Sequence, residues 1–156
     1  MKKSILIYSA IIYIVCFIIN VVDMFTSSFN FETLFLIFFS ILCLLPIYFI
    51  FEEKYLKKAF VFLWIINLIQ SFSVILLGLT YKLIIGPDLS LYLINSGDKL
   101  VQFSVKIFNI FSYFNYIKGD NTFAIGINFS HFLLFIYFYF EAKKYKKPTV
   151  NSDDTQ

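Results

Sequence analysis

Four long apolar runs, separated by short polar or charged connections, dominate this chain of 156 residues. They cover about 4–22, 31–51, 59–85 and 122–140. Because a helix rises about 1.5 Å per residue, each run is long enough to cross a hydrocarbon core of about 30 Å. We therefore expect an all-α, polytopic integral membrane protein, built as a four-transmembrane-helix bundle plus one amphipathic external helix.

The composition favours lipid over water as the solvent of these runs. Hydrophobic residues make up 60% of the chain and charged residues 15%, against about 45–50% and 25% in a typical soluble domain. A soluble chain of this size has too little interior to bury so much apolar surface. All 13 basic residues are Lys, which indicates an AT-rich, bacterial genome, so we predict a protein of the bacterial plasma membrane.

The lysines predict the orientation. Nine of the 13 lie at the N-terminus, in the Glu52–Lys58 turn or near the C-terminus, and the remaining four are Lys82, Lys99, Lys106 and Lys118. Since cytoplasmic loops carry the excess of Lys, both termini are expected in the cytoplasm. Residues 1–147 would form one transmembrane domain and 148–156 a disordered tail. Membrane lipids and another membrane protein are the expected partners, whereas no basic stripe indicates nucleic acid.

The segment 99–118 resembles an amphipathic helix in its pattern. Its apolar residues Leu100, Phe103, Ile107 and Ile110 recur at spacings of three and four. We predict a helix lying in the outer membrane interface. A re-entrant segment and a fifth span are the alternatives, but a fifth span would bury Lys106 near the bilayer centre at a cost of at least ~2.5 kcal/mol.

Polar side chains within the runs fall on common helical faces, which predicts inward-facing polar stripes. The candidate polar core consists of Tyr13, Ser40, Asn67, Gln70, Asn128 and His131. Counted from the ends of the runs, Tyr13, Ser40, Gln70 and His131 come near the midplane, so we expect some of them to touch. His131 is the only histidine. It could relay a proton or bind a ligand, or stay neutral and bond Gln70, Tyr13 or Ser40.

Sets of residues that carry known chemistry are not readable in this sequence. The middle of the four runs contains no Asp, Glu, Lys or Arg, and one His with two separated cysteines is a weak metal set. We expect neither a cofactor nor a metal. Three classes of function remain: a non-catalytic accessory or partner-binding membrane module, a small channel or permease with a path lined by Tyr, Ser, Gln and His, and an intramembrane lipid-modifying enzyme.

Overall fold

The structure is a computed structural model that describes residues 3–26, 30–95, 100–116, 118 and 122–145. Within these residues, three helices are followed by four consecutive strands and a fourth helix. They are α1 (Lys3–Thr26), α2 (Phe31–Phe51), α3 (Leu56–Ser71), β1 (Phe72–Leu76), β2 (Leu79–Ile94), β3 (Val101–Tyr116), β4 (Ala124–Asn128) and α4 (Phe129–Lys144). The strands form one antiparallel sheet in the order β1-β4-β2-β3.

The expected all-α bundle of four transmembrane helices is wrong. Helices α1 and α2 occupy the first two apolar runs, but the other two runs and the segment 99–118 each contain a strand. Only α1 and α2 have the length and composition of a membrane span among the described residues. Helices α3 and α4 have 16 residues each, or about 24 Å. The predicted tail, 148–156, lies outside the described residues.

The third run, 59–85, divides where α3 ends at Ser71. Strand β1 follows directly, and the turn Leu77-Gly78 joins it to β2 with φ angles of +51° and +85°. Two central residues with positive φ match the right-handed twist of a tight hairpin. Leu76 and Leu79 pair across the turn, so this run reverses direction instead of continuing as a helix.

The long strand β2 organises the sheet. One of its edges pairs with β3 along most of its length, while β1 and β4 pair with its first and second parts and with each other. The ladder to β3 shifts register between Gly86 and Asp88. Gly86 has φ +115°, and a Cβ there would meet Ile12 Cγ2 at 2.9 Å. Glycine therefore permits this bend and the close seating of β2 on α1.

The fourth run, 122–140, begins as a strand because Asn128 starts a helix late in it. The Asn128 side chain accepts hydrogen bonds from the backbone N–H groups of Ser130 and His131. This is the N-cap arrangement, which satisfies donors that a helix start leaves free. Residues before Asn128 pair in β4 and residues after it continue as α4.

The segment predicted as an interfacial helix, 99–118, contains β3 instead. Its apolar residues also alternate, as in Val101, Phe103, Val105 and Ile107, and β-branched and aromatic residues favour strands. Among the described strands β3 pairs only with β2, so it forms one edge of the sheet.

Candidate functional site

The junction between helices and sheet holds a group of buried neutral polar residues, which we name the helix-side cluster: Tyr13, Asn67, Gln70 and His131. Gln70 Nε2 donates to the Tyr13 hydroxyl at 3.1 Å. Gln70 Oε1 accepts the Ile85 backbone N–H at 2.9 Å. One amide thus ties α1, α3 and β2 together.

His131 and Asn67 form the second half of the helix-side cluster. His131 Nδ1 lies 3.1 Å from Asn67 Oδ1, and Asn67 Nδ2 donates to the Leu63 carbonyl at 2.9 Å. His131 Nε2 is buried without a hydrogen-bond partner. Burial lowers the pKa of His131 to about 4, against the raising influence of Asp88 and of the backbone at Ile85. The imidazole is therefore neutral at pH 7, and its Nδ1–H donates to Asn67.

The other two residues of the predicted polar core bond mainly to backbone groups, which for Asn128 include the His131 N–H. Ser40 is buried in α2, where its Oγ donates to the Leu36 carbonyl at 2.7 Å and lies 3.2 Å from Cys16 Sγ. Asn128 caps α4 and donates from Nδ2 to the Pro87 carbonyl at 3.2 Å. The structure thus brings Tyr13 to Gln70 and His131 to Asn67, and their functional role stays a prediction.

A charged group, which we name the sheet-side cluster, lies on β2 and β3: Lys82, Asp88, Ser90, Tyr92 and Asn109. The Asp88 side chain is fully buried. Its carboxylate accepts hydrogen bonds from Ser90 Oγ and, at 2.8 Å, from Asn109 Nδ2. Lys82 Nζ lies 3.5 Å from Asp88 Oδ2. Three donors therefore compensate a carboxylate that would otherwise be costly to bury.

Aromatic groups complete the surroundings of Lys82. Its ammonium donates to the Tyr92 hydroxyl at 2.6 Å and lies 5.1 Å and 5.4 Å from the ring centroids of Tyr92 and Phe111. The Phe111 distance is within the reach of cation–π attraction, whereas the bond to the hydroxyl places the ammonium beside the edge of the Tyr92 ring. The neighbouring Tyr81 hydroxyl donates to the Ile69 carbonyl at 3.0 Å, and burial raises the pKa of Tyr81 to about 12.

Sequence reasoning missed the sheet-side cluster because it interpreted the run 59–85, which contains Lys82, as a transmembrane helix. A signal was present in the alternation Asp88-Leu-Ser90-Leu-Tyr92. Side chains two apart in a strand point to the same face, so these three polar groups share a face once β2 is recognised as a strand.

Strand β3 exposes several large apolar side chains. Its most exposed side chains are Val101, Phe103, Val105, Ile107, Phe114 and Tyr116, of which Ile107 is 93% exposed. The Leu100 carbonyl accepts from Ile94 N–H on the β2 side. Because backbone direction alternates along a strand, the N–H and C=O groups of Val101, Phe103 and Val105 point away from β2. We name these three residues the open edge.

The second half of β3 is covered at one point. Ser112 N–H, which also points away from β2, donates to Glu32 Oε1 at 3.3 Å. Glu32 belongs to the first turn of α2. The carboxylate thus occupies a donor that an incoming strand would use, whereas no comparable cover lies on the open edge among the described residues.

The described residues contain no group of three or more His, Cys, Asp and Glu side chains that could hold a metal ion. Asp88 is buried with its carboxylate bonded to protein groups, whereas His131 is buried with Nδ1 bonded to Asn67 and Nε2 without a partner. The two clusters join the sheet to the helices, and the open edge is unpaired among the described residues. No protein-family model matches the chain, and neither the search of curated proteins nor that of solved structures finds a significant match.

Proposed function

We propose that this chain is a non-catalytic membrane module that holds an extended segment of a partner protein on the open edge of β3. Helices α1 and α2 anchor it in the plasma membrane, with both termini in the cytoplasm. The exposed apolar strand at the sheet edge is the observation that carries this proposal. An unpaired edge supplies main-chain hydrogen bonds to an added strand, and its side chains supply specificity.

The surface of α1 and α2 supports the membrane anchor. In the most apolar 18-residue stretches of α1 and α2, only 33% and 39% of the residues are buried within the protein. The outward face of α1 consists of large apolar side chains at spacings of three and four, namely Ile7, Ile11, Ile14, Ile18 and Val22, all between 45% and 55% exposed. Such a face is suited to lipid contact.

The composition of β3 supports a partner strand. Soluble proteins protect exposed edges with prolines, charges or covering segments. Strand β3 contains no proline and only one charged residue, Lys106. Its apolar side chains are exposed at Val101, Phe103 and Val105 by 55–64%. An added strand would satisfy the outward N–H and C=O groups and cover part of this surface.

The bonding within the polar clusters favours a non-catalytic module rather than a channel. Gln70 bonds Tyr13 and the backbone of Ile85, and His131 faces Asn67. These groups, predicted as the lining of a path, instead bond each other and the sheet, so they are better suited to hold the sheet at a fixed angle on the helices.

Site-specific photo-crosslinking in cells tests the proposal. A photoreactive residue at Val101 should give a discrete protein adduct, and one at Leu133, which is 66% exposed on α4, should not give the same adduct. Phe103→Pro removes an outward N–H without removing a bond to β2, and should abolish the adduct. Phe103→Ala keeps that N–H and should retain most of it.

The matched pair of variants distinguishes main-chain pairing from side-chain contact. Equal loss in Phe103→Pro and Phe103→Ala would show that the side chain alone carries the contact. No adduct at Val101, or an adduct that survives Phe103→Pro unchanged, would overturn the proposal. The melting temperature of each purified variant in detergent checks that the fold is kept.

A further inference from the structure

A second surface, far along the chain from β3, is a groove between α2 and α3. Its volume is about 410 Å³, within the range of about 300–1,000 Å³ that small-molecule sites occupy. The residues that line it are Leu42, Leu45, Pro46, Phe49, Tyr55, Lys58, Ala59 and Phe62. We infer that this groove binds one acyl chain of an anionic phospholipid, with Lys58 contacting the headgroup phosphate; this inference rests on the membrane anchor proposed above.

Small side chains open the groove. Pro46 lies inside α2 and has no backbone N–H to donate. Ala59 lines the groove from α3, and its one-carbon side chain leaves space between the two helices. The larger residues Leu42, Leu45 and Phe62 form apolar walls on either side. Together they leave a narrow apolar recess on the lipid-facing surface, suited to a hydrocarbon chain.

Charge identifies the class of lipid. Lys58 is exposed where it lines the groove. Among the described residues Lys54 pairs with Glu52 at 3.4 Å, whereas Lys57 and Lys58 form no ion pair. The turn belongs to the Lys-rich side of the chain, which the distribution of Lys places at the cytoplasm. Basic groups beside the cytoplasmic leaflet attract anionic headgroups.

Tyr55 places a second polar group near this end of the groove. It has φ +51° directly before α3, and its ring meets the edge of Phe49 at a centroid distance of 5.7 Å. The side chain is 66% exposed. A phenol in the interfacial layer is suited to bond a headgroup oxygen while its ring packs on the acyl chain.

Native mass spectrometry of the full chain, released from nanodiscs of equal phosphatidylglycerol and phosphatidylcholine, tests the inference. We expect one retained phosphatidylglycerol with a preference of about fivefold, as one basic contact supplies. Lys58→Gln should bring the preference close to unity. Leu45→Trp, at a residue 47% exposed, should narrow the groove and lower retention of both lipids.

Lys143→Gln is the matched control, because Lys143 lies over the Tyr139 ring at 4.4 Å and does not line the groove. This variant should keep the preference. Equal retention of both lipids by the unmodified chain, or a preference that Lys58→Gln leaves intact, would overturn the inference. The Val101 adduct should persist in Lys58→Gln, so failure here is distinguishable from failure of the proposed partner surface.

Discussion

The helix-side and sheet-side clusters meet on the same strand, yet they bury polar groups in different ways. Gln70 reaches β2 at Ile85 through a neutral amide, and three residues later Asp88 buries a full charge. The helix-side cluster contains only neutral groups at pH 7. The sheet-side cluster surrounds its carboxylate with Lys82, Ser90 and Asn109.

This difference follows from the structures that hold the two clusters. The backbone N–H and C=O groups within a helix bond each other. The buried side chains of a helix therefore need only bond one another or a nearby backbone group. The bend of β2 brings Lys82, Asp88 and Ser90 together, and that geometry can enclose a charge with several donors. Deleting a member of the charged cluster should therefore cost more than deleting a member of the neutral one.

Asp88→Ala should give the largest loss of stability. The change leaves the Lys82 ammonium, Ser90 and Asn109 without their acceptor, and removal of one partner from a buried ion pair costs about 3–5 kcal/mol. Because the Lys82 side chain is 23% exposed, we expect the lower end, about 3 kcal/mol. Thermal unfolding in detergent measures it, and Asp88→Asn should lose less since it keeps an acceptor.

The double variant Asp88→Ala, Lys82→Met sharpens the comparison. Removing both charges should recover part of the stability, because no uncompensated ammonium remains. A double variant less stable than Asp88→Ala alone would show that Lys82 stabilises the sheet through its contacts with Tyr92 and Phe111.

Gln70→Leu should give the next largest loss, about 2 kcal/mol, because it leaves the buried Ile85 N–H unsatisfied and removes the donor to the Tyr13 hydroxyl. Tyr13→Phe removes only one of these bonds and should cost about 1 kcal/mol. The same melting experiment ranks the two. A loss in Gln70→Leu greater than that of Asp88→Ala would contradict the proposed order of the clusters.

The polar faces of the helices could be predicted from the sequence, because spacing alone places Asn67 and Gln70 on one side of a helix that does form. Pairing could not be predicted: His131 bonds Asn67, which was not among the expected partners Gln70, Tyr13 and Ser40. The depth of each polar residue in the bilayer was counted from the ends of its apolar run, but the runs 59–85 and 122–140 are helical over only part of their length. The run 122–140 contains β4, so His131 lies in the first turn of α4 instead of the middle of a span.

Strand β3 could not be predicted because its sequence is apolar at both the helical and the strand period. In β3, Leu100, Phe103, Ile107 and Ile110 fit a helix, while Val101, Phe103, Val105 and Ile107 fit a strand. Leu77-Gly78 is a weak turn signal, since hairpins with two positive φ angles favour Asn or Asp before Gly. Pairing with β2 selects the strand over the helix, and the sequence of β3 alone does not indicate that pairing.

Stability should also depend on pH through His131, and the loss per pH unit should be smaller than the loss in Gln70→Leu. Its pKa is lowered to about 4 from 6.5, so the unfolded chain binds more protons between these values. Stability should be full above pH 6.5 and fall as pH decreases toward 4, with a slope approaching 1.4 kcal/mol per unit. Melting curves between pH 7 and 5 measure it, and His131→Gln should flatten the profile by that amount.

Asn128→Ala should cost about 1 kcal/mol, as little as Tyr13→Phe, and it tests the junction between the two clusters. The change removes the N-cap of α4, typically worth 0.5–2 kcal/mol, together with the bond to the Pro87 carbonyl. Asn128→Asp keeps the capping oxygen but loses the donor to Pro87, so it should retain most of the stability if capping dominates. Because Pro87 precedes Asp88 and Asn128 precedes α4, a larger loss in Asn128→Asp than in Asn128→Ala would show that a second carboxylate is not tolerated beside Asp88. The junction would then be limited by charge, as the sheet-side cluster is, and not by helix capping.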